Sequence, residues 1–171
     1  MIQKIQKQFL SAFTLIEVLV VTALIGIMST ILLVDFGSGR IAQQLEGSAR
    51  VVVSAVREAQ NFALTGHQGV AGTDPCAYEV AWSGTTYTLT YEYKNGAGAC
   101  QSQLLNTSTL ADGISFSGTS GNVSFAPPHA VMTPATTATI VLSKAGSSHA
   151  VCVCSSGLIN NTPGNSCTGS C

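Results

Sequence analysis

Charged residues are scarce in this sequence: Asp, Glu, Lys and Arg together make up only 9% of its 171 residues. Low charge together with a high aliphatic share is not the composition of an intrinsically disordered chain. Its length suits one globular domain with an anchor and is short for two separate cores. Gly, Ser, Thr and Ala dominate after Gly66. This composition predicts a sheet-rich, externally exposed body.

Positive charge is the scarcer sign. The formal net charge is −1, and removal of Lys4 and Lys7 before the apolar run leaves five basic residues against eight acidic ones, a side-chain charge of −3. The segment 159–171 contains no Lys or Arg. Affinity for DNA depends mainly on contacts between cations and phosphates. Because cations are scarce here, the sequence shows no basic patch for nucleic acid or anionic lipid. The remaining cations could still converge in space: Arg40, Arg50, Arg57, Lys94 and Lys144.

Motifs of catalysis are also missing. The sequence contains no GxSxG, no HExxH and no Gly-rich loop of the kind that holds phosphates. His67, His129 and His149 stand in separate regions, with no carboxylate or cysteine at catalytic spacing, so we expect them on the surface or in turns. The sequence therefore predicts a protein that is not an enzyme and that needs no cofactor.

What the sequence does contain is a long apolar run, from Phe13 to Val34. As a helix its 22 residues span about 33 Å, the thickness of a bilayer core. Lys4 and Lys7 precede it, which predicts a cytoplasmic N-terminus and an external C-terminal body. A secretory signal peptide has a shorter apolar core followed by a small-residue cleavage site, which this run lacks. A plain anchor does not explain Glu17, whose burial in lipid costs about 2.5–3.5 kcal/mol.

The segment around Ala12-Phe13-Thr14-Leu15-Ile16-Glu17 resembles the class III signal of type IV prepilins and type II secretion pseudopilins. The resemblance implies that residues 1–12 are a leader removed by a prepilin peptidase. Cleavage then falls between Ala12 and Phe13, with N-methylation of Phe13; Ala12 stands where the family usually has Gly. Residues 13–35 become a transmembrane and filament-core helix. Glu17 then fixes axial register by pairing with the Phe13 ammonium of a neighbouring subunit.

Residues 36–66 are predicted to form the amphipathic half of a long helix. Gly37 and Gly39 weaken helix propensity, which predicts a flexible joint at 35–39. One apolar face then recurs at helical spacing, and Gly66 is expected to stop the helix after Thr65. The members of this face are Ile41, Leu45, Val52, Val56, Ala59 and Ala63.

Beyond Gly66 the apolar period changes to that of strands. Tyr87, Leu89 and Tyr91 alternate with threonines, and Asn95-Gly96 is a turn signal. A long helix followed by strands predicts an α+β fold, with antiparallel sheet packed on the helix, and residues 67–171 as a β-rich head. The predicted strands are Ala77–Trp82, Thr86–Tyr93, Gln101–Leu105, Ile114–Ser117, Asn122–Ala126, Thr137–Ser143 and Ala150–Cys154.

The order of elements from Gly113 to Ile159 is similar to the FimT/GspH family of minor pilins and pseudopilins. In that family a strand and a turn lead to a hairpin, whose last strand ends in a small-residue turn before a final short strand; here that turn is Ser155-Ser156-Gly157. The resemblance implies a structural subunit of a pilus or secretion filament, held in the bacterial inner membrane before assembly. Its partners would be other subunits and the prepilin peptidase. Two alternatives stay open: a DNA-binding minor pilin for DNA uptake, and a major pilin.

Six cysteines all follow the apolar run, as expected for disulfides formed in an oxidising compartment. The simplest connectivity joins Cys76 to Cys100 and ties Cys152 and Cys154 to the two tail cysteines, although fifteen pairings are possible. Four thiols within twenty residues could instead hold zinc, but no paired CxxC spacing is present. The tail is therefore expected to be held down by disulfides. The six positions are Cys76, Cys100, Cys152, Cys154, Cys167 and Cys171.

Overall fold

The structure, a computed structural model, describes residues 14–171 except 112, 119 and 170, and leaves out the side chains of 31–38. The chain divides into two compact units, Met1–Gly39 and Arg40–Cys171, which we describe separately. The predicted leader, residues 1–12, lies outside the described residues.

A single α-helix, α1, runs from Leu15 to Thr65. Its backbone is helical through Gly37 and Gly39, and the flexible joint at 35–39 stays a prediction. Glycine disfavours a helix by about 1 kcal/mol relative to Ala, yet it keeps its backbone N–H, and two such residues do not outweigh the turns on either side. The boundary between the two units nevertheless falls directly after Gly39.

Gly66 ends the helix, as predicted. It has a positive φ of 63°, and the N–H of His67 donates to the carbonyl oxygen of Phe62 at 3.1 Å. This is the bond that closes a Schellman motif, in which a left-handed residue directly after the helix lets the chain turn back. The rings of Phe62 and His67 stack with centroids 4.5 Å apart, which supplies the contact that usually accompanies this motif.

The first unit presents an apolar helical surface. Ten large apolar side chains between Leu15 and Met28 are each at least 49% exposed. Glu17 is the only charged residue in this stretch. Among the residues whose side chains are described, no helix combines the length and the apolar character that crossing a membrane would require.

The second unit contains two antiparallel sheets, which confirms the predicted α+β class. One sheet has the order β3-β2-β1-β5-β6 and the other the order β4-β7-β8-β9. The strands are β1 Pro75–Ser83, β2 Thr86–Lys94, β3 Cys100–Thr109, β4 Ser115–Phe116, β5 Gly121–Ala126, β6 Val131–Thr133, β7 Ala138–Lys144, β8 Ser147–Val153 and β9 Ile159–Pro163.

Both sheets and the second half of α1 contribute to one hydrophobic core. The predicted helical face is buried from Leu45 to Ala63, and Ile41 packs partly against it. Tyr87, Leu89 and Tyr91 of β2 point inward, as their alternation predicted. The largest fully buried side chains come from α1 and from both sheets: Leu45, Tyr78, Tyr91, Phe125, Ile140 and Leu142.

Several strands differ from the predictions. β3 runs to Thr109 rather than to Leu105, and β6, Val131–Thr133, was not predicted. The segment predicted at Ile114–Ser117 pairs over only Ser115–Phe116. The predicted turn at Asn95 is present, with its amide oxygen accepting from the N–H groups of residues 97 and 99 at 3.0 Å. Its left-handed residue is Gly98, with φ of 81°, so it is not a two-residue Asn-Gly hairpin.

Candidate functional site

Of the predicted processing site, Ala12 and Phe13 lie outside the described residues. Glu17 is described, exposed in the first turn of α1. Its backbone N–H donates to the hydroxyl oxygen of Thr14 at 3.3 Å and to the carbonyl oxygen of Thr14 at 3.0 Å. Thr14 therefore caps the helix, and Glu17 stands at N3, the third residue of the helix, where a Thr-x-x-Glu capping pattern has its acid. Its carboxylate has no ion-pair partner among the described residues.

This geometry gives Glu17 a local role in the first turn of α1, which was not predicted. A carboxylate in the first turn is favourable because the N-terminus of a helix carries partial positive charge, typically worth about 0.3–1 kcal/mol at an exposed site. The signal for it was present in the sequence, since Thr and Glu stand three residues apart directly before the apolar run. A carboxylate without an ion-pair partner also remains available to a charge on another molecule.

Three disulfides are present, and their pairing is the simplest one that the sequence allowed. Cys76 joins Cys100, Cys152 joins Cys167, and Cys154 joins Cys171. The two tail pairs close loops of 15 and 17 residues, each worth about 3 kcal/mol in the chain-entropy model. With all six sulfurs in disulfides, none of them remains as a thiolate ligand for zinc.

Two disulfides join the tail to the side of β8 that lies outside the hydrophobic core. Ala150, Cys152 and Cys154 alternate along this side of the strand and its end, and all three are buried. The Thr139 hydroxyl of neighbouring β7 donates to the Cys167 sulfur at 3.3 Å, which adds a polar contact to the tail. The disulfides thus hold the tail against a sheet surface that would otherwise be open to solvent.

Two side chains of α1 bond the backbone on both sides of the turn before β9. The Arg57 guanidinium (Nη2) donates to the carbonyl oxygen of Ile159 at 3.0 Å, and the Gln60 amide (Nε2) donates to that of Gly157 at 2.9 Å. These residues lie about 100 positions apart in sequence, so the bonds tie the end of the helix to the end of the second sheet. No local pattern in the sequence indicated them.

The described cations stand on several elements. Arg50 and Arg57 line a groove of about 340 Å³ with Asn160 and Asn161. Arg50 is paired with Glu46 at 2.6 Å, and Arg57 is engaged with a backbone carbonyl, so both guanidinium groups of this groove already have partners. Lys94 ends β2 and Lys144 ends β7. Cations spread in this way do not favour a phosphate-binding surface, and so they do not favour a DNA-binding protein over a structural subunit.

His149 is buried in β8, so the prediction of a surface or turn histidine is wrong for this residue and right for exposed His67 and His129. Its position opposite Leu142 turns the ring inward, where Nε2 has no hydrogen-bond partner among the described residues. Burial lowers the pKa of His149 from its ordinary value of 6.5, and the Glu46 carboxylate raises it by a smaller amount. The neutral imidazole is thus the form that this environment favours.

Aromatic rings gather where α1 ends. Tyr78 lies 5.8 Å from Phe62 and 5.3 Å from Tyr91, measured between ring centroids, and its hydroxyl donates to the carbonyl oxygen of His67. Burial, with a smaller contribution from Tyr91, raises the pKa of Tyr78 to about 12. The phenol is therefore neutral at physiological pH, and it donates to the turn after the helix.

No protein-family model, curated protein or solved structure is significantly similar to this chain.

Proposed function

We propose that this chain is a structural subunit of a type IV pilus or of a type II secretion filament, and that it assembles through its N-terminal helix. One observation carries the proposal: α1, Leu15–Thr65, presents different surfaces in the two units. In the first unit its apolar side chains are exposed, and in the second its apolar face is buried under two sheets.

An exposed apolar helix needs a cover. Burial of apolar surface is worth about 25 cal/mol per Å², so ten exposed large side chains would not stay in water. Lipid can cover them before assembly, and the same helices of neighbouring subunits can cover them afterwards. The apolar run from Phe13 to Val34 and the basic residues before it support an inner-membrane stage with the head outside the cytoplasm.

Glu17 gives such a helix an axial position. Its carboxylate is exposed and without an ion-pair partner among the described residues, so in an apolar surrounding it would need a positive charge. The new N-terminus at Phe13 of a neighbouring subunit would supply one. Since a mismatched stagger would leave both charges unpaired, the pair would select one register among many similar apolar contacts.

The head supports the narrower proposal of a minor subunit resembling the FimT/GspH kind. From β5 onward the chain forms a strand, a proline-bearing turn, the short strand β6, the β7–β8 hairpin, a small-residue turn and the final strand β9. A tail fixed by two disulfides suits a fibre that is exposed to proteases and shear outside the cell.

The experiment that tests the proposal is intact-mass spectrometry of the chain from membranes of cells that contain a prepilin peptidase, with and without reduction. We expect the mass of Phe13–Cys171 plus one methyl group, with six hydrogens gained on reduction. An Ala12→Gly variant, which restores the usual residue before the cut, should be processed at least as completely.

A matched variant makes the result specific. Replacing Ala12 with Leu would leave the basic head and apolar run unchanged while blocking a peptidase that needs a small residue before the cut. A chain that begins at Met1 without a methyl group, in the parent and in both variants, would contradict the proposal and leave a membrane-anchored ectodomain.

A further inference from the structure

One edge of the five-stranded sheet is long and open. β3 forms that edge over ten residues, Cys100–Thr109, and eight of these are exposed. It contains no proline and no charged residue, and Leu104 is 57% exposed. An edge strand of this kind offers a row of unpaired backbone groups, which proteins normally protect with charges, prolines or short length.

The other three sheet edges are protected in these ways. β6 has three residues and is followed by Pro134, and β4 has two. β9 has five residues and ends at Pro163. Because the same chain shortens its other edges, the open length of β3 is a specific feature of this edge.

Hydrogen bonds at both ends of β3 show which backbone groups face outward. The carbonyl oxygen of Ala99 accepts from Asn95, and the N–H of Leu110 donates to Thr85, each at 2.8 Å, so both residues turn toward β2. In an antiparallel strand these groups point alternately toward and away from the neighbouring strand. The extra residue of the bulge, Leu105, shifts this alternation by one position between Leu104 and Asn106. The outward N–H groups therefore include those of Ser102, Leu104, Thr107 and Thr109.

Two grooves lie between α1 and the same margin of the sheet. One, of about 170 Å³, is lined by Glu58, Asn106 and Ser108 with neighbouring residues. The second, of about 440 Å³, is mainly apolar and includes Val51 and Leu110. Val51 is 51% exposed, and nothing within 4 Å would meet a side chain added at neighbouring Gly47.

We propose that the free edge of β3 is a docking site for an extended segment of another protein. The segment adds a sixth strand to the five-stranded sheet through main-chain hydrogen bonds, the mode of β-strand addition. Side chains on its helix-facing side then lie over the two grooves, and an apolar one enters the groove at Val51. The site is independent of the proposed filament role, because all of its residues lie in the second unit.

A second copy of this chain fits the site less well than such a segment. Paired through its own β3, a copy would present Asn106 and Ser108 on the helix-facing side, and neither fills an apolar groove. Its Leu105 is already packed against its own core. The partner therefore needs an extended segment in which an apolar residue alternates with uncharged polar ones.

The test uses the full chain in detergent micelles, with its disulfides intact, and the peptide Ac-KTVTVTVTK-NH2 as probe. Amide hydrogen exchange is followed by NMR. At saturating peptide we expect exchange at Ser102, Leu104, Thr107 and Thr109 to slow by about tenfold or more, because these N–H groups gain partners. The inward N–H of Ser108 should be protected with or without peptide. A peptide with proline at its two central threonines should have no effect.

Three variants make the test specific. Thr107→Pro removes one outward N–H while leaving the β2 ladder intact, and Val51→Lys places a cation in the apolar groove; both should abolish the slowing. Val131→Lys changes a similarly exposed valine at the opposite edge, 61% exposed, and should leave the slowing of exchange unchanged. No slowing in the parent chain, equal slowing by the proline peptide, equal loss in Val131→Lys, or dimerisation of the chain through β3 without peptide would overturn the proposal.

Discussion

The side-chain amide of Gln60 donates a hydrogen bond of 2.9 Å to the carbonyl oxygen of Gly157, which links the last turns of α1 to the turn before β9. Gly157 has a φ of +87°, and a Cβ built on it would lie 3.0 Å from Nε2 of the same Gln60. Glycine is therefore favoured by the backbone conformation, and an added Cβ would in addition force the amide of Gln60 to shift. Together with the bond from Arg57 to Ile159, this pair joins the helix to the end of the second sheet.

Substitution of this pair should be less than additive. We expect Gly157→Ala to lower the free energy of unfolding by about 1–3 kcal/mol, from the left-handed backbone and the close contact. Gln60→Ala should cost about 0.5–1.5 kcal/mol, the usual net value of a hydrogen bond. The double variant should cost less than the sum, because removal of the amide relieves the contact, and denaturant titrations of all four chains would measure this. Strictly additive values would contradict the steric part of the argument.

Local patterns predicted those parts of the fold that a single element determines by itself. The buried face of α1 follows from the 3.6-residue period, which repeats at Leu45, Val52, Val56 and Ala59 whatever the rest of the chain does. The stop at Gly66 follows from the ease with which glycine adopts a positive φ.

Features that depend on residues distant in the sequence were not predicted. The second half of β3 has no alternating pattern, and it is a strand because β2 pairs with it as far as Thr109. His149 follows two serines that suggest a turn, and only its register opposite Leu142 makes it buried. The bonds from Arg57 and Gln60 to the last turn likewise join residues about 100 positions apart.

His149 should make the stability depend on pH in a defined direction. Because burial holds its pKa below the ordinary 6.5, the unfolded chain binds a proton more readily than the folded chain in the window below pH 6.5. The contribution of the neutral His149 ring to the free energy of unfolding is therefore fully present above pH 6.5. It is lost as the pH falls toward the pKa that His149 has in the folded chain. Thermal unfolding between pH 8 and pH 5 should show a steeper decline in the parent chain than in His149→Leu.

His129→Leu is the matched control for this pH dependence, because His129 is exposed in the turn between β5 and β6. It should follow the parent chain throughout the pH series. If His149→Leu and His129→Leu changed the slope equally, burial of the His149 ring would not be its cause.

Gly121 should not tolerate a side chain. It pairs with Trp82 across β1 and β5, and a Cβ at this position would lie 2.6 Å from the Cζ2 atom of the indole. We expect Gly121→Ala to cost about 1–3 kcal/mol, as overpacking usually does, and to shift the fluorescence of this single tryptophan. Gly96→Ala is the matched control, since nothing lies within 4 Å of its added Cβ and its φ is not positive. A similar loss in both variants would assign the effect to backbone entropy instead of the indole contact.

The two roles of the helix start can be separated by substituting Thr14 and Glu17 independently. Thr14→Ala removes the hydroxyl that caps α1 and should cost about 0.5–2 kcal/mol of helix stability, while leaving the carboxylate in place. Glu17→Gln keeps a capping-box side chain and removes the charge. If Glu17 sets the register between subunits, Glu17→Gln should be absent from the sheared filament fraction although it is processed and present in membranes, and Thr14→Ala should still be incorporated. Equal incorporation of both variants would reduce Glu17 to a local helix-stabilising residue, because charge pairing with a neighbour cannot survive loss of the charge.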